Sequence, residues 1–226
     1  MTDKAKIEAV GKPEPSSARL ITTLGIAGLM AGILLAGVNL YTRPMIKENR
    51  AMALQNAIFK VLPGCVEYVP LVMQQGELVE WISEGIDEEI SPTIFAGYDS
   101  TNVLLGIAVV GEEPGFQDII SGIFGYNPTE KLIVGFEVLE SKETPGLGDK
   151  IIKDPAFREN FTALAVEPRI TTVKEGQKNN PHEVEMITGA TISSRTVVKL
   201  INKALGTTKE AMEEFAISKQ ESDGGE

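Results

Sequence analysis

The run Thr188-Gly189-Ala190-Thr191-Ile192-Ser193-Ser194 sets two threonines and two serines around a Gly-Ala pair, directly ahead of an amphipathic helical pattern. A hydroxyl placed there sits at a helix N-terminus, where unpaired backbone N–H groups and the helix dipole favour a phosphate. The same pattern also describes an ordinary capped helix start, with Thr191 satisfying backbone donors. A second segment, Glu143-Thr144-Pro145-Gly146-Leu147-Gly148-Asp149-Lys150, gathers two glycines and a proline in one loop. Glycine lets backbone come close to a flat ring system, and Leu147 suits one face of such a ring. Taken alone, this segment also reads as a plain strand-to-helix connector.

Composition narrows the chemistry. The chain has 226 residues and a net charge of −11. Its first nineteen residues carry +1, so the remainder carries −12, a surface that repels phosphate backbones and argues against nucleic-acid binding. One cysteine, Cys65, excludes an intrachain disulfide and Cys-ligated zinc or iron–sulfur sites, and one histidine, His182, excludes a His-cluster metal site. No metal ligand set and no catalytic residue is assigned. Any redox chemistry must come from an organic cofactor. Cys65 reads as a small apolar filler, His182 as a loop histidine, and Trp81 and Phe116 as core more readily than as stacks on a cofactor ring.

These segments need a scaffold. Residues 20–41 are 22 residues without a charge, bracketed by Arg19 and Arg43. That slightly exceeds the roughly 20 apolar residues needed to span a bilayer. The run is longer than the ~7–15 residues of a signal-peptide core, so an uncleaved anchor is expected. Tyr41 suits the interface, and Pro44 reads as a break just outside. Gly28, Gly32 and Ala36 form a small-residue stripe, either a seat for a partner helix or the usual small-residue content of membrane helices. Basic residues flank both ends, so charge does not choose an orientation.

Residues 44–62 predict a helix, stopped by Pro63-Gly64. Extended runs follow at residues 67–72, 78–83, 93–98, 103–110, 119–126 and 131–139, with Asn127-Pro128-Thr129-Glu130 turning the last two into a hairpin. Leu132, Val134, Phe136 and Val138 alternate onto one face. Gly106, Gly122, Gly125 and Gly135 mark bulges or the close approach of another group, whether ligand or packed chain. Asp154-Pro155 opens a helix bearing Phe157, Phe161 and Leu164. A polar loop over residues 174–183 precedes a short extended run at 184–187. A helix then runs from Ile192 to Gly206, with another over residues 207–217. The fold class is α+β: one N-terminal transmembrane helix, then a single domain with a mainly antiparallel sheet and flanking helices. The expected division is a polar tail 1–19, the span 20–41, a helical connector 42–64, the domain 65–217 and a flexible tail 218–226.

Three stretches together carry a family resemblance: Glu143-Thr-Pro-Gly-Leu-Gly-Asp-Lys-Ile151, Asp154-Pro-Ala-Phe157 and Thr188-Gly-Ala-Thr-Ile-Ser-Ser-Arg195. With the N-terminal span, the chain resembles the G subunits of Rnf complexes, membrane-bound ferredoxin–NAD oxidoreductases that translocate ions. It is also similar to the related C subunits of sodium-pumping NADH–quinone reductases. The resemblance implies an FMN-binding domain with FMN joined through its phosphate to Thr191. Thr188 stands where the family has serine, and Glu185 where it usually has aspartate. Thr188, Gly189, Ala190, Ser193 and Ser194 are expected around the phosphate, with Arg195 either assisting or facing solvent. Glu143, Thr144 and Leu147 are expected near the isoalloxazine. Lys174 matches a family lysine, placing charge near flavin or phosphate, or else is a solvated surface lysine.

The resemblance further implies an electron-transfer subunit of a translocating oxidoreductase, itself not catalytic in isolation. Implied partners are other subunits of the complex, a flavin transferase and membrane lipid. The protein would be single-pass in the cell membrane with its FMN domain extracytoplasmic. The alternatives are the equivalent quinone-reductase subunit and a non-catalytic anchored module for flavin sensing or assembly.

Overall fold

The structure is a computed structural model that describes residues 16–81 and 93–223. It divides into two compact units, Met1–Ala51 and Met52–Glu226. Of the expected polar tail, residues 1–15 lie outside the described residues, as do residues 82–92 and 224–226.

Helix α1 spans Ser17–Val61 and runs through Pro44 without ending. The expected break there does not occur. Proline forfeits one backbone hydrogen bond, a local cost that does not by itself end a long helix. Within the first unit the helix is long and apolar enough to cross a membrane, and its apolar window is not buried by protein. Leu24 and Leu35, for example, are 73% and 70% exposed. Hydrocarbon is the solvent that accommodates such a surface.

The second unit is built on seven antiparallel strands: β1 (Glu67–Gln74), β2 (Glu77–Glu80), β3 (Ile94–Tyr98), β4 (Leu104–Pro114), β5 (Ile119–Asn127), β6 (Leu132–Glu140) and β7 (Leu164–Ala165). They lie in the order β2-β1-β3-β4-β5-β6-β7. A separate parallel pair joins β8 (Thr171–Lys174) to β9 (Glu183–Met186). Helices α2 (Lys150–Lys153) and α3 (Pro155–Glu159) follow the sheet's sixth strand, and α4 (Thr191–Asp223) closes the chain.

Both faces of the sheet are covered, which is why β4 reads as a continuous apolar run. On one face α4 packs Val197, Leu200, Ile201 and Met212 against Ile107, Val109, Phe124 and Tyr126. On the other, the end of α1 packs Ala57, Ile58, Val61 and Leu62 against Phe95, Ala108 and Ile123. Glycines make room for that helix end. A Cβ on Gly135 would stand 2.7 Å from Val61 Cα, and one on Gly97 would stand 2.5 Å from Leu62 Cδ1. Gly125 faces the same two residues, and Gly106 faces Leu62 and the Tyr126 backbone. The group that approaches the sheet glycines here is therefore the chain's own helix.

Three elements differ from the sequence reading. Gly125 pairs with Gly135 but Tyr126 pairs with Ile133, so Val134 is an extra residue in β6. This bulge sends Val134 to the α1 side while Ile133, Phe136 and Val138 join the α4 side. Leu132, Val134, Phe136 and Val138 thus do not share a face. Helix α3 stops at Glu159, and Leu164 instead pairs with Ile133 in β7. Asn160 ends the helix by donating its amide to the Ala156 and Phe157 carbonyls, at 3.1 Å each. Finally, α4 is one helix through Gly206 to Asp223, not two helices and a tail from Ser218. Glycine costs a helix about 1 kcal/mol relative to alanine, and the burial of Leu205, Ala211, Met212 and Phe215 offsets it.

Candidate functional site

Two glycine turns flank a pocket of about 300 Å³. In the first, Leu147 N donates to the Thr144 carbonyl at 3.1 Å, with Pro145 second and Gly146 third at φ +79°. In the other, Ala190 N donates to the Ile187 carbonyl at 3.0 Å, with Gly189 third at φ +86°. A left-handed third position is the type II requirement, which explains glycine at both places. Asp149 braces the first turn by accepting from Gly146 N at 2.7 Å and from Lys153 Nζ at 2.6 Å. The Lys153 ammonium holds the Asp149 carboxyl below its ordinary range.

Glu143 joins the two sides. Its carboxylate is buried, with Oε1 accepting from Phe116 N at 2.8 Å and Gln117 N at 3.1 Å. Ser193 Oγ donates to Oε2 at 2.5 Å. Gly115 and Gly148 enclose this carboxylate closely: a Cβ on either would stand 2.5 Å from one of its oxygens. One side chain therefore ties the 115–118 turn, the Thr144–Gly148 loop and the first turn of α4 together.

The expected site residues separate into those at the pocket and those committed elsewhere. Glu143, Thr144, Leu147, Gly189, Ala190, Thr191 and Ser193 line it. Thr191 is half-buried as the first residue of α4. Its hydroxyl, and the amides of Thr191, Ile192 and Ser193, have no hydrogen-bond partner among the described residues. Ser193 spends its hydroxyl on Glu143. Ser194 is fully buried, donating to the Ala190 carbonyl at 2.9 Å and accepting from Ile187 N at 3.2 Å. Neither serine hydroxyl is thus free for a phosphate; Ser194 holds the turn ahead of Thr191, and Ser193 holds Glu143. Thr188 donates instead to Glu175 Oε2 at 2.9 Å. Lys174 is exposed at the end of β8, opposite Met186, and does not line the pocket. Arg195 is exposed and lines a different groove.

Sequence reasoning misplaced Phe116 in the core. It is 65% exposed at the pocket, because the 115–118 turn, closed by Gly115 N on the Asp118 carbonyl at 2.8 Å, turns it outward. With Leu147 and Ile192, also half exposed, it gives the pocket an apolar rim. The Ile192 side chain, of which only the amide was expected at the site, and Asp149 were also passed over. Asp149 had a signal, an aspartate directly ahead of Lys-Ile-Ile-Lys where a helix could begin. Trp81 is partly buried, and its indole N–H has no acceptor among the described residues.

Residues 115–206 match the FMN-binding domain family, a span that includes both turns and the start of α4. The chain is 29% identical over 189 residues to the G subunit of the ion-translocating oxidoreductase complex of Methanosarcina acetivorans, covering 83% of this chain and 92% of that one. It is 26% identical over 185 residues to the G subunit of the Na(+)-translocating ferredoxin:NAD(+) oxidoreductase complex of Acetobacterium woodii, covering 80% and 86%. Among solved structures, NqrC of Shewanella oneidensis superposes with a TM-score of 0.52 at 20% identity, over 70% of this chain and 87% of that one. The C subunit of the Na(+)-translocating NADH-quinone reductase of Parabacteroides distasonis gives a TM-score of 0.52 at 22% identity, over 66% and 78%. These two show a shared fold.

Proposed function

We propose that this chain, a sequence relative of the G subunits of ion-translocating oxidoreductase complexes, is a membrane-anchored flavoprotein subunit that carries FMN on Thr191 and relays electrons. The observation that carries the reading is the half-buried Thr191 hydroxyl at the head of α4, which, with three neighbouring amides, has no partner among the described residues. Such a cluster suits a phosphate. Phe116, Leu147 and Ile192 are the apolar side chains that would hold the ring, and Glu143 fixes the loops that bear them. When bound, FMN supplies one- and two-electron transfer.

Attachment needs a flavin transferase and a flavin nucleotide with a phosphoanhydride bond. The Thr191 Oγ–phosphorus bond forms as that anhydride bond breaks, the distal half of the flavin nucleotide leaving as a monophosphate and the hydroxyl proton passing to solvent. The product is a phosphodiester, with one negative charge against the α4 dipole. The FMN domain is assigned to the extracytoplasmic side on the strength of the family resemblance. Sequence relatives over four-fifths of the chain favour the ferredoxin–NAD complex over the quinone reductase.

Intact mass spectrometry of the full chain, made with and without a flavin transferase, tests the reading. The expected increment is one FMN less one water, seen only with the transferase and absent in Thr191→Ala. An unmodified wild-type chain from native membranes would favour the non-catalytic module instead.

A further inference from the structure

A groove of about 450 Å³ lies between β8 and α4, apart from the pocket, lined by Arg169, Thr171, Thr172, Arg195, Lys199 and Asn202 among others. Among the described residues, no carboxylate lines it. This is anomalous for its setting, since the unit Met52–Glu226 has 14 basic residues against 28 acidic ones. Many of those basic groups are paired with acids, for example Lys142 with Asp118 at 2.9 Å and Lys209 with Glu167 at 2.6 Å. Arg169 and Arg195 have no such partner among the described residues. Lys199 has one, Glu113 at 2.6 Å, which Lys203 shares. Asn202 donates its amide to the Ile170 carbonyl at 2.9 Å, fixing the two walls to each other.

We propose that this groove is a docking site for a carboxylate-rich segment of a partner protein chain. Guanidinium groups bind carboxylates in bidentate fashion, and threonine hydroxyls add further donors. The volume equals about fifteen waters at ~30 Å³ each, several times a single oxyanion and suited to a run of side chains. An anionic membrane is the poorer occupant, because a flat charged surface meets the whole acidic unit, whereas a narrow segment meets only the groove. Thr191, Arg195, Val198 and Asn202 share one stripe of α4 by helical periodicity. The groove therefore begins about 6 Å along the axis from Thr191, so a docked chain lies beside the proposed electron carrier. Its charge recognition does not depend on that assignment.

The test places the photo-crosslinker p-benzoylphenylalanine at exposed Thr171 in the full chain within its native membrane complex, with Thr129 in the β5–β6 turn as the reference position. A crosslink from position 171 to an Asp/Glu-rich segment of another subunit is expected. The double variant Arg169→Glu/Arg195→Glu should weaken it about tenfold or more, and Glu→Lys changes in the captured segment should restore it. A crosslink indifferent to charge reversal, capture of lipid alone, or displacement by sodium phosphate at constant ionic strength would overturn the proposal. FMN loading is read by intact mass in the same samples, so failed docking and failed cofactor attachment give separate results.

Discussion

Ser193 Oγ lies 2.5 Å from Glu143 Oε2, linking residues fifty positions apart beside the pocket. The serine that looked available to a phosphate is thereby spent on architecture. Glu143 has both oxygens engaged inside the protein, so its work is to hold the pocket's walls in place. Removing the carboxylate leaves two amides and a hydroxyl unpaired in a buried site. Glu143→Ala is expected to lower the unfolding free energy of the full chain by about 2 kcal/mol or more and to reduce FMN incorporation. Glu143→Gln, which keeps an acceptor, should lose less on both counts. Urea unfolding in detergent, followed by circular dichroism, reads the first; intact mass reads the second. An alanine variant as stable as wild type would show that the clasp holds nothing.

Thr188 and Thr191 stand three residues apart in a hydroxyl-rich run and are committed differently. Thr188 is bonded to Glu175, while Thr191 has no partner among the described residues. Thr188→Ala should therefore accept FMN at the wild-type level, whereas Thr191→Ser should accept it and Thr191→Val should not. Mass spectrometry of the three variants made with the transferase decides this. A Thr188→Ala chain left unmodified would move the attachment machinery one turn upstream.

Gly189 occupies φ +86° with only Leu147 Cδ2 near its missing Cβ, at 3.8 Å. Space is available, so the cost of a side chain is conformational. Gly189→Ala should destabilise by about 1–2 kcal/mol, with Asn tolerated better. A Gly189→Ala protein with unchanged unfolding midpoint would mean that the turn relaxes out of the left-handed region.

Gly135 is the opposite case, a glycine required by crowding. A Cβ there meets Val61 Cα and its carbonyl, and backbone cannot swing aside as a side-chain tip does. Gly135→Ala should cost about 3 kcal/mol, the upper part of the overpacking range, and loosen the seat of α1 on the sheet. Faster hydrogen exchange across residues 52–62 is the expected signature. Exchange unchanged there would show that the helix end is not held by this contact.

What could be read beforehand divides by physical range. The hairpin of β5 and β6, the Pro63-Gly64 stop and the hydroxyl run before α4 rest on local periodicity and turn chemistry, which a single strand of text preserves. The bulge at Val134 was hidden because it exists only in the pairing between two strands. Phe116 was misplaced for a similar reason. Its outward position comes from the 115–118 turn, whose Phe116 and Gln117 amides are pinned by Glu143, 27 and 26 residues away. The serines were misread because a hydroxyl ahead of a helix has several acceptors in reach, and only the fold says which one it takes.

Glu113 sets the acid response of the α4 face. It is 3% exposed on β4 and holds Lys199 Nζ at 2.6 Å and Lys203 Nζ at 2.5 Å. Those two ammonium groups keep its carboxyl below the ordinary value of 4.5. A carboxylate with a depressed folded pKa contributes stability that is fully present above its unfolded pKa. That contribution disappears as pH falls through the folded value. Wild-type protein should therefore lose urea stability on going from neutral pH to below the ordinary carboxylate range, and Glu113→Gln should lose distinctly less over the same interval while starting lower. Added salt should narrow the difference, because both lysine heads are 66% exposed. Parallel pH profiles for the two proteins would show that the link between β4 and α4 adds nothing to acid stability.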